Sequence, residues 1–204
     1  MRMRWGILAA EILVVLLILY GLSQLFGKPG YPNMITPKPV LGNPNASVLL
    51  EEYSDFQCPF CKKAEEVLKP MIQQYGKQIR FEYHHYPIVS KHPYALKAAE
   101  ASECANDQGE FWRYHDLLFQ KQEGDGLKVS NLKRYAEQLG LDTEKFNACL
   151  DSDAKKDIVL LEEREGEQRK VIQTPSFFIN GKLFTDWTPA NFKALILEEL
   201  NATG

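Results

Sequence analysis

Apolar and polar positions along the chain change period several times, and each change marks an element. From Ser47 to Tyr53 the apolar density and the alternation predict a buried strand. From Cys61 the apolar residues fall at Ala64, Leu68, Met71, Ile72 and Tyr75, one stripe of a helix that opens near Cys58. Pro70 lies inside that stripe and is expected to kink or break it, because proline lacks the N–H of the helical ladder. Gln78 to Tyr86 alternates again, so strand, helix and strand make a βαβ unit. From about Pro93 to Lys170 the period is helical throughout. One segment carries Leu96, Ala99 and Cys104, and the next Phe111, Tyr114, His115 and Leu118. A third, capped by Ser130 or Asn131, carries Leu132, Tyr135, Ala136 and Leu139 and ends at Gly140. A fourth starts at Asp142 or Thr143, and a fifth at about Ala154; its charged run from Glu162 to Lys170 reads as a solvated face with Glu165 and Arg169 at i,i+4. Ser176 to Ile179, the turn Asn180-Gly181 and Lys182 to Phe184 predict a hairpin. Thr188 and Pro189 then open a last helix with Phe192, Leu195, Ile196 and Leu200 on its buried side.

The first 45 residues follow a different pattern. Trp5 to Phe26 is almost wholly apolar, and at about 1.5 Å per residue it reaches roughly 33 Å, enough to span a bilayer. Arg2 and Arg4 precede it and place residues 1–4 in the cytoplasm. Residues 5–26 are therefore expected to be a single-pass anchor with the bulk of the chain outside the cytoplasm. The alternative is a cleaved signal peptide, with Gly21-Leu22-Ser23 as its site and a secreted product. Residues 27–45 hold Pro29, Pro32, Pro37, Pro39 and Pro44 and read as a tether. The expected domain organisation has an α/β domain in residues 46–88 and 171–204, interrupted by a helical insertion at 89–170.

Composition narrows the function. Of 204 residues, 45% are apolar and 25% charged, ordinary values for a globular chain, and the net charge of −3 with no basic stripe argues against a nucleic-acid partner. All four cysteines lie beyond the apolar segment, on the side where disulfides persist. Cys104 and Cys149 sit in two predicted helices of the insertion and are expected to pair; the alternative is two buried free thiols.

The chemistry concentrates in Cys58-Pro59-Phe60-Cys61. Free N–H groups and the helix dipole at a helix N-terminus stabilise a thiolate, and Pro59 costs nothing in the first turn. Cys58, which comes first, is the expected nucleophile, and Cys61, one turn in and on the core stripe, the resolving thiol. A structural zinc site needs four ligands, and Cys104 and Cys149 form no second CxxC; neighbouring His84 and His85 point to opposite faces of a strand.

Residues 47–61, with Tyr86-Pro87, Gln108-Gly109-Glu110-Phe111-Trp112, Tyr114-His115-Asp116 and Thr174-Pro175-Ser176-Phe177-Phe178-Ile179-Asn180-Gly181, resemble the DsbA-like thiol:disulfide oxidoreductases of the thioredoxin superfamily. The resemblance covers about residues 46–200 and implies an α/β thioredoxin fold with an inserted helical domain. It also implies that Pro175 is a cis-proline facing the CxxC, that Thr174 and Pro175 receive substrate backbone, and that Glu52 is a buried acid relaying a proton with Cys61. Glu51 takes that role if the register shifts by one. The expected function is disulfide introduction or exchange in exported proteins carrying cysteines. It uses the Cys58–Cys61 disulfide, with no bound cofactor or metal, and a DsbB-type membrane reoxidase as partner. Two departures stand out. Phe60 cannot donate a hydrogen bond to the Cys58 thiolate, and Gln173 replaces the glycine that commonly precedes Thr-Pro. The alternatives are a reductase in the same compartment, a membrane-tethered copper or other metal chaperone using the CxxC thiolates, and a holdase without redox turnover.

Overall fold

In the computed structural model, residues 37–203 are described. Their elements run β1 (Val40–Gly42), β2 (Val48–Ser54), α1 (Pro59–Tyr75), β3 (Ile79–His85), α2 (Ala95–Asn106), α3 (Phe111–Lys121), α4 (Val129–Gln138), α5 (Thr143–Asp151), α6 (Lys156–Gln168), β4 (Ser176–Ile179), β5 (Lys182–Phe184) and α7 (Pro189–Thr203). The sheet order is β1-β3-β2-β4-β5, with β2 central, parallel to β3 and antiparallel to β4. This is the thioredoxin-like α/β arrangement, and α2 to α6 form the helical insertion between β3 and β4.

Alternation along β2 decides what each face carries. Val48 and Leu50 join Ala64 and Leu68 of α1, Phe81 of β3, Phe177 of β4 and Phe192 and Ile196 of α7 in the main core. Side chains two apart on a strand share a face, so Glu52 and Ser54 belong to this side, further along β2. Tyr53 lies on the opposite face with Phe178, Val171 and Tyr86. At the far hairpin, Asn180 (φ 47°) and Gly181 (φ 78°) supply the two left-handed residues that the tight turn requires.

The structure departs from the sequence reading at four places. Val40–Gly42, read as tether, is an edge strand antiparallel to β3, with Leu41 against the main core. Three residues flanked by prolines give too short an apolar signal to detect, since an edge strand needs only backbone pairing on one side. α1 continues through Pro70 to Tyr75, because the carbonyl that Pro70 leaves without a donor belongs to Glu66, which is exposed to solvent. α4 starts at Val129 after Lys128, not at Ser130 or Asn131, and has no side-chain cap. Finally, the run 162–170 is a solvated face only in part: Arg164, Glu165, Glu167 and Lys170 are exposed, but Glu162 and Arg169 are not. Glu162 is buried, accepts from the backbone N–H of His85 (2.7 Å) and pairs with Lys38 (2.7 Å). Arg169 grips both carboxylate oxygens of Glu51 (2.6 and 2.9 Å) and lies 3.8 Å from the centre of the Phe178 ring. Gly166 lets α6 approach so closely that a Cβ there would stand 2.8 Å from Tyr86 and 2.9 Å from Tyr53. The charged residues of α6 thus clamp the insertion onto the second face of the sheet.

The expectations for residues 1–36, including the anchor at 5–26, lie outside the described residues. Among the described residues, no helix is long and apolar enough to cross a membrane.

Within the insertion, Cys104 of α2 and Cys149 of α5 form a disulfide, 45 residues apart in sequence. Closing a loop of that length restricts the unfolded chain by up to about 4 kcal/mol. The double substitution Cys104→Ala/Cys149→Ala is therefore expected to lower unfolding free energy by about 2–4 kcal/mol in urea titrations. A loss below about 0.5 kcal/mol contradicts a stabilising role for the crosslink.

Candidate active site

The start of α1 is fixed by a turn that the insertion locks in place. Asp55, directly after β2, accepts from the backbone N–H of Gln57 at Oδ1 (2.7 Å), and its backbone carbonyl accepts from Cys58 N–H (3.0 Å). Its other carboxylate oxygen meets Ile88 N–H (2.8 Å) and the His92 ring (2.7 Å). The Gln57 side chain accepts from Tyr94 N–H (2.8 Å), and the Gln122 amide donates to the carbonyls of Phe56 (2.8 Å) and Cys58 (3.3 Å). Chain that has just left β2 is thus bent so that Cys58 becomes the N-cap of α1, in extended conformation, with Pro59 in the first turn. Asp55 had a local signal in the sequence, an Asp three residues before the helix N-cap. Gln57 and Gln122 had none, since their partners are remote in sequence.

Cys58 and Cys61 are both free thiols here, 4% and 0% exposed. The Thr174–Pro175 peptide bond is cis, and the Thr174 carbonyl oxygen lies 3.5 Å from Cys58 Sγ. The structure therefore brings Thr174 and Pro175 beside Cys58, 116 residues away in sequence. Phe60 points outward, 58% exposed, with Lys63 5.6 Å from its ring centre.

The two thiols are polarised in opposite directions. The Cys58 pKa falls to about 5, chiefly because the Cys61 thiol donates to its sulfur, against the opposing effect of burial. The backbone N–H groups of Cys61 and Phe60 add to the lowering. Cys61 moves the other way: burial first, then its hydrogen bond to Cys58 and the nearby Glu52 charge hold it well above the ordinary thiol value.

Glu52 is fully buried on the Cys61 side of β2, and neither carboxylate oxygen has a protein hydrogen-bond partner. Burial, followed by the Glu65 charge, raises its pKa well above the usual carboxylate range. A carboxyl without partners in such a place stays protonated at neutral pH, because ionising it there costs several kcal/mol. The neighbouring Ser54 and Tyr83 hydroxyls are also buried without partners, and burial followed by the Glu52 charge pushes the Tyr83 phenol up as well. Glu51, the alternative position, faces the other side of the sheet, where Arg169 holds it. Tyr83, Ser54 and Glu65 around the dithiol escaped the sequence reading: each is apolar-patterned or helical in context and acquires a polar role only from the pairing of β2, β3 and α1.

Comparison with known proteins agrees with this fold. Residues 35–198 match the family model described as Thioredoxin, and the chain belongs to that family. Its fold resembles the oxidised BdbD structure from Bacillus subtilis, with a TM-score of 0.73 and 26% identity over 82% of this chain and 95% of that one. It also resembles alpha-DsbA1 from Wolbachia pipientis, with a TM-score of 0.72 and 20% identity over 83% and 94% of the two chains. The fold is that of the DsbA-type thiol-disulfide oxidoreductases. Among curated sequences, a Na(+)/H(+) antiporter NhaA 3 from Salinispora tropica is 37% identical over 163 residues, 80% of this chain but 24% of the antiporter. The chain spans about a quarter of that relative's length, so the likeness concerns that portion alone.

The polarised pair has a direct spectroscopic consequence. Thiolate absorbance of the reduced protein at 240 nm is expected to rise through a single step with a midpoint of about 5, and Cys58→Ser is expected to remove that step. Because the folded value lies below the ordinary thiol value of about 8.5, this group's contribution to stability is full above that pH and is lost as pH falls through about 5. A first thiolate step near 8.5 instead contradicts the polarisation.

Proposed function

We propose that this chain is a thiol:disulfide oxidoreductase that introduces or exchanges disulfide bonds in exported proteins through Cys58 and Cys61. The observation that supports it best is the opposite displacement of the two thiols, with Cys58 at about 5 and Cys61 well above its ordinary value. A dithiol arranged this way has one sulfur that leaves without a proton and one that requires a proton.

In the oxidised form a substrate thiolate attacks Cys58 Sγ, since Cys61 is sealed beneath it. A substrate–Cys58 disulfide forms, the Cys58–Cys61 bond breaks, and its electron pair goes to Cys61. Cys61 takes the proton of Glu52, the buried acid on its side of β2. A second substrate thiolate then attacks the substrate sulfur of the mixed disulfide. Cys58 departs as a thiolate, and a thiol of low pKa is a fast leaving group. The substrate leaves with its new disulfide, and the enzyme is left as Cys58 thiolate and Cys61 thiol. Thr174 and Pro175, beside Cys58, receive the substrate backbone, and exposed Phe60 offers an apolar contact next to the nucleophile.

The direction of electron flow follows from the same energetics. Stabilising the Cys58 thiolate stabilises the reduced form, and a stable reduced form makes the disulfide oxidising. Phe60 contributes no side-chain donor, yet the Cys61 thiol and two backbone N–H groups suffice to lower Cys58. Reoxidation calls for a partner that accepts two electrons, and a quinone-linked membrane protein of the DsbB type fits that need. Residues 5–26 act as the anchor that holds the domain outside the cytoplasm, where substrate disulfides persist.

Equilibration of the purified protein with glutathione buffers tests the direction. A potential well above the thioredoxin value of about −270 mV, toward the DsbA value of about −120 mV, is expected; a value near −270 mV overturns the oxidase reading in favour of a reductase. Cys58→Ser is expected to abolish exchange with a thiol-containing peptide. Cys61→Ser should accumulate a stable mixed disulfide at Cys58, visible by mass spectrometry.

A further inference from the structure

The exchange proposed above has an unsolved proton balance, and the present inference rests on that reading. Each time Cys61 departs as a thiolate it consumes the Glu52 proton, yet both groups are 0% exposed. A buried carboxylate must then be reprotonated from solvent, and Cys58 gives no route, since it is first disulfide-bonded to the substrate and then a thiolate, with no proton in either state.

Glu65 stands one helical turn beyond Cys61, at i,i+4, on the same buried stripe of α1. It is the charge that acts most strongly on Glu52, it is itself buried, and its Oε1 has no hydrogen-bond partner. Across from it, α3 presents His115, 1% exposed, with Nε2 3.6 Å from Glu65 Oε1 and Nδ1 3.1 Å from Asp116 Oδ1. Nε2 has no hydrogen-bond partner. Asp116 is half-exposed and pairs with Lys69 at 3.1 Å. A groove of about 270 Å³ opens from solvent onto this point and is lined by Glu65, His115, Asp116, Lys69, Arg113 and Trp112. His115 also meets the rings of Phe56, Tyr83, Phe111, Trp112 and Phe119. Glu52 faces Ser54, Cys58, Cys61, Tyr83 and Glu65.

From this arrangement we infer that His115 and Glu65 form a proton path between the open groove and the buried Glu52–Cys61 pair. An imidazole takes up a proton at one nitrogen and releases one from the other. A ring whose two nitrogens face two different carboxylates suits that transfer. When Cys61 takes the Glu52 proton, the Glu52 carboxylate is reprotonated by Glu65, Glu65 by His115 Nε2–H, and His115 by water at Nδ1 beside Asp116. One proton enters from solvent for each Cys61 thiol formed. In the reverse direction the same groups carry it out.

The reverse direction gives the cleaner test. The full-length reduced protein is mixed with excess 5,5′-dithiobis(2-nitrobenzoate), and release of the coloured thiolate is followed by stopped flow. A first burst reports attack by Cys58. A second reports attack by Cys61 on the Cys58 mixed disulfide: the Cys58–Cys61 bond forms, the aryl thiolate leaves with the electron pair, and the Cys61 proton must exit. In His115→Gln and Glu65→Gln the second burst is expected to slow by about tenfold or more and to show a larger solvent deuterium effect, while the first keeps its rate within about twofold. Second bursts at the wild-type rate in both variants overturn the path, and so does equal slowing of both bursts, the mark of a merely structural role. If His115→Gln fails to fold, Glu65→Gln decides alone by the same ratio. Absence of a second burst in the wild type overturns the exchange reading itself, which separates the two failures.

Discussion

Burial of Cys61 and Glu52 beneath the first turn of α1 is the constraint on which the site depends. Neither group can ionise there without losing water and gaining nothing in return, so the negative charge of the reduced dithiol has one place to go. That place is Cys58, at the helix N-cap, where the Cys61 S–H and the backbone N–H groups of residues 60 and 61 converge. The low pKa of one thiol and the high pKa of the other are two readings of a single proton, held on Cys61 and shared toward Cys58. Exposing Cys61 to water would remove both.

That burial is not a product of the α/β core alone. The turn ahead of Cys58 hangs on Asp55, whose carboxylate is satisfied by Ile88 N–H and His92 at the entrance to the insertion, and on Gln122 at the end of α3. α6 closes the opposite face of the sheet through Gly166, Glu162 and Arg169. The insertion therefore acts as a wall and as a clamp. It fixes the angle at which α1 leaves β2 and seals the floor under the dithiol. A chain of small α/β size without it would expose the Asp55 turn and the aromatic cluster around Phe56 and Tyr83.

How much of this the sequence makes legible follows from the range of each interaction. The β2-α1-β3 unit, the Asn180-Gly181 hairpin and α7 are local patterns, so alternation and stripe period place them within a residue or two. The nucleophile and its partner are legible for the same reason, since CxxC at a helix start is a contiguous signal. Glu52 and the Thr174–Pro175 position were accessible only through the resemblance to a family. Glu162, Glu65 and His115 were not legible at all. On a helical wheel they are ordinary charged or packing positions, and their partners come from other elements: Glu162 from Lys38 and β3, and Glu65 and His115 from each other across α1 and α3. Charge counts along one helix see i,i+4 neighbours, and they assigned Arg169 to Glu165 although its carboxylate partner is Glu51 on β2.

The same distinction explains why Phe60 misleads a sequence-based judgement of redox strength. Judged from the dipeptide alone, a phenyl ring supplies neither charge nor hydrogen bond, and the thiolate looks poorly supported. The donors that reach Cys58 come instead from the peptide backbone of its own helix turn and from the resolving thiol. Both sources exist in any CxxC whose second cysteine is sealed, whatever side chain occupies the place between. A ring that faces outward, as Phe60 does, is then free to serve the surface that meets the substrate, and the charge on Cys58 is governed by how completely Cys61 is withdrawn from water.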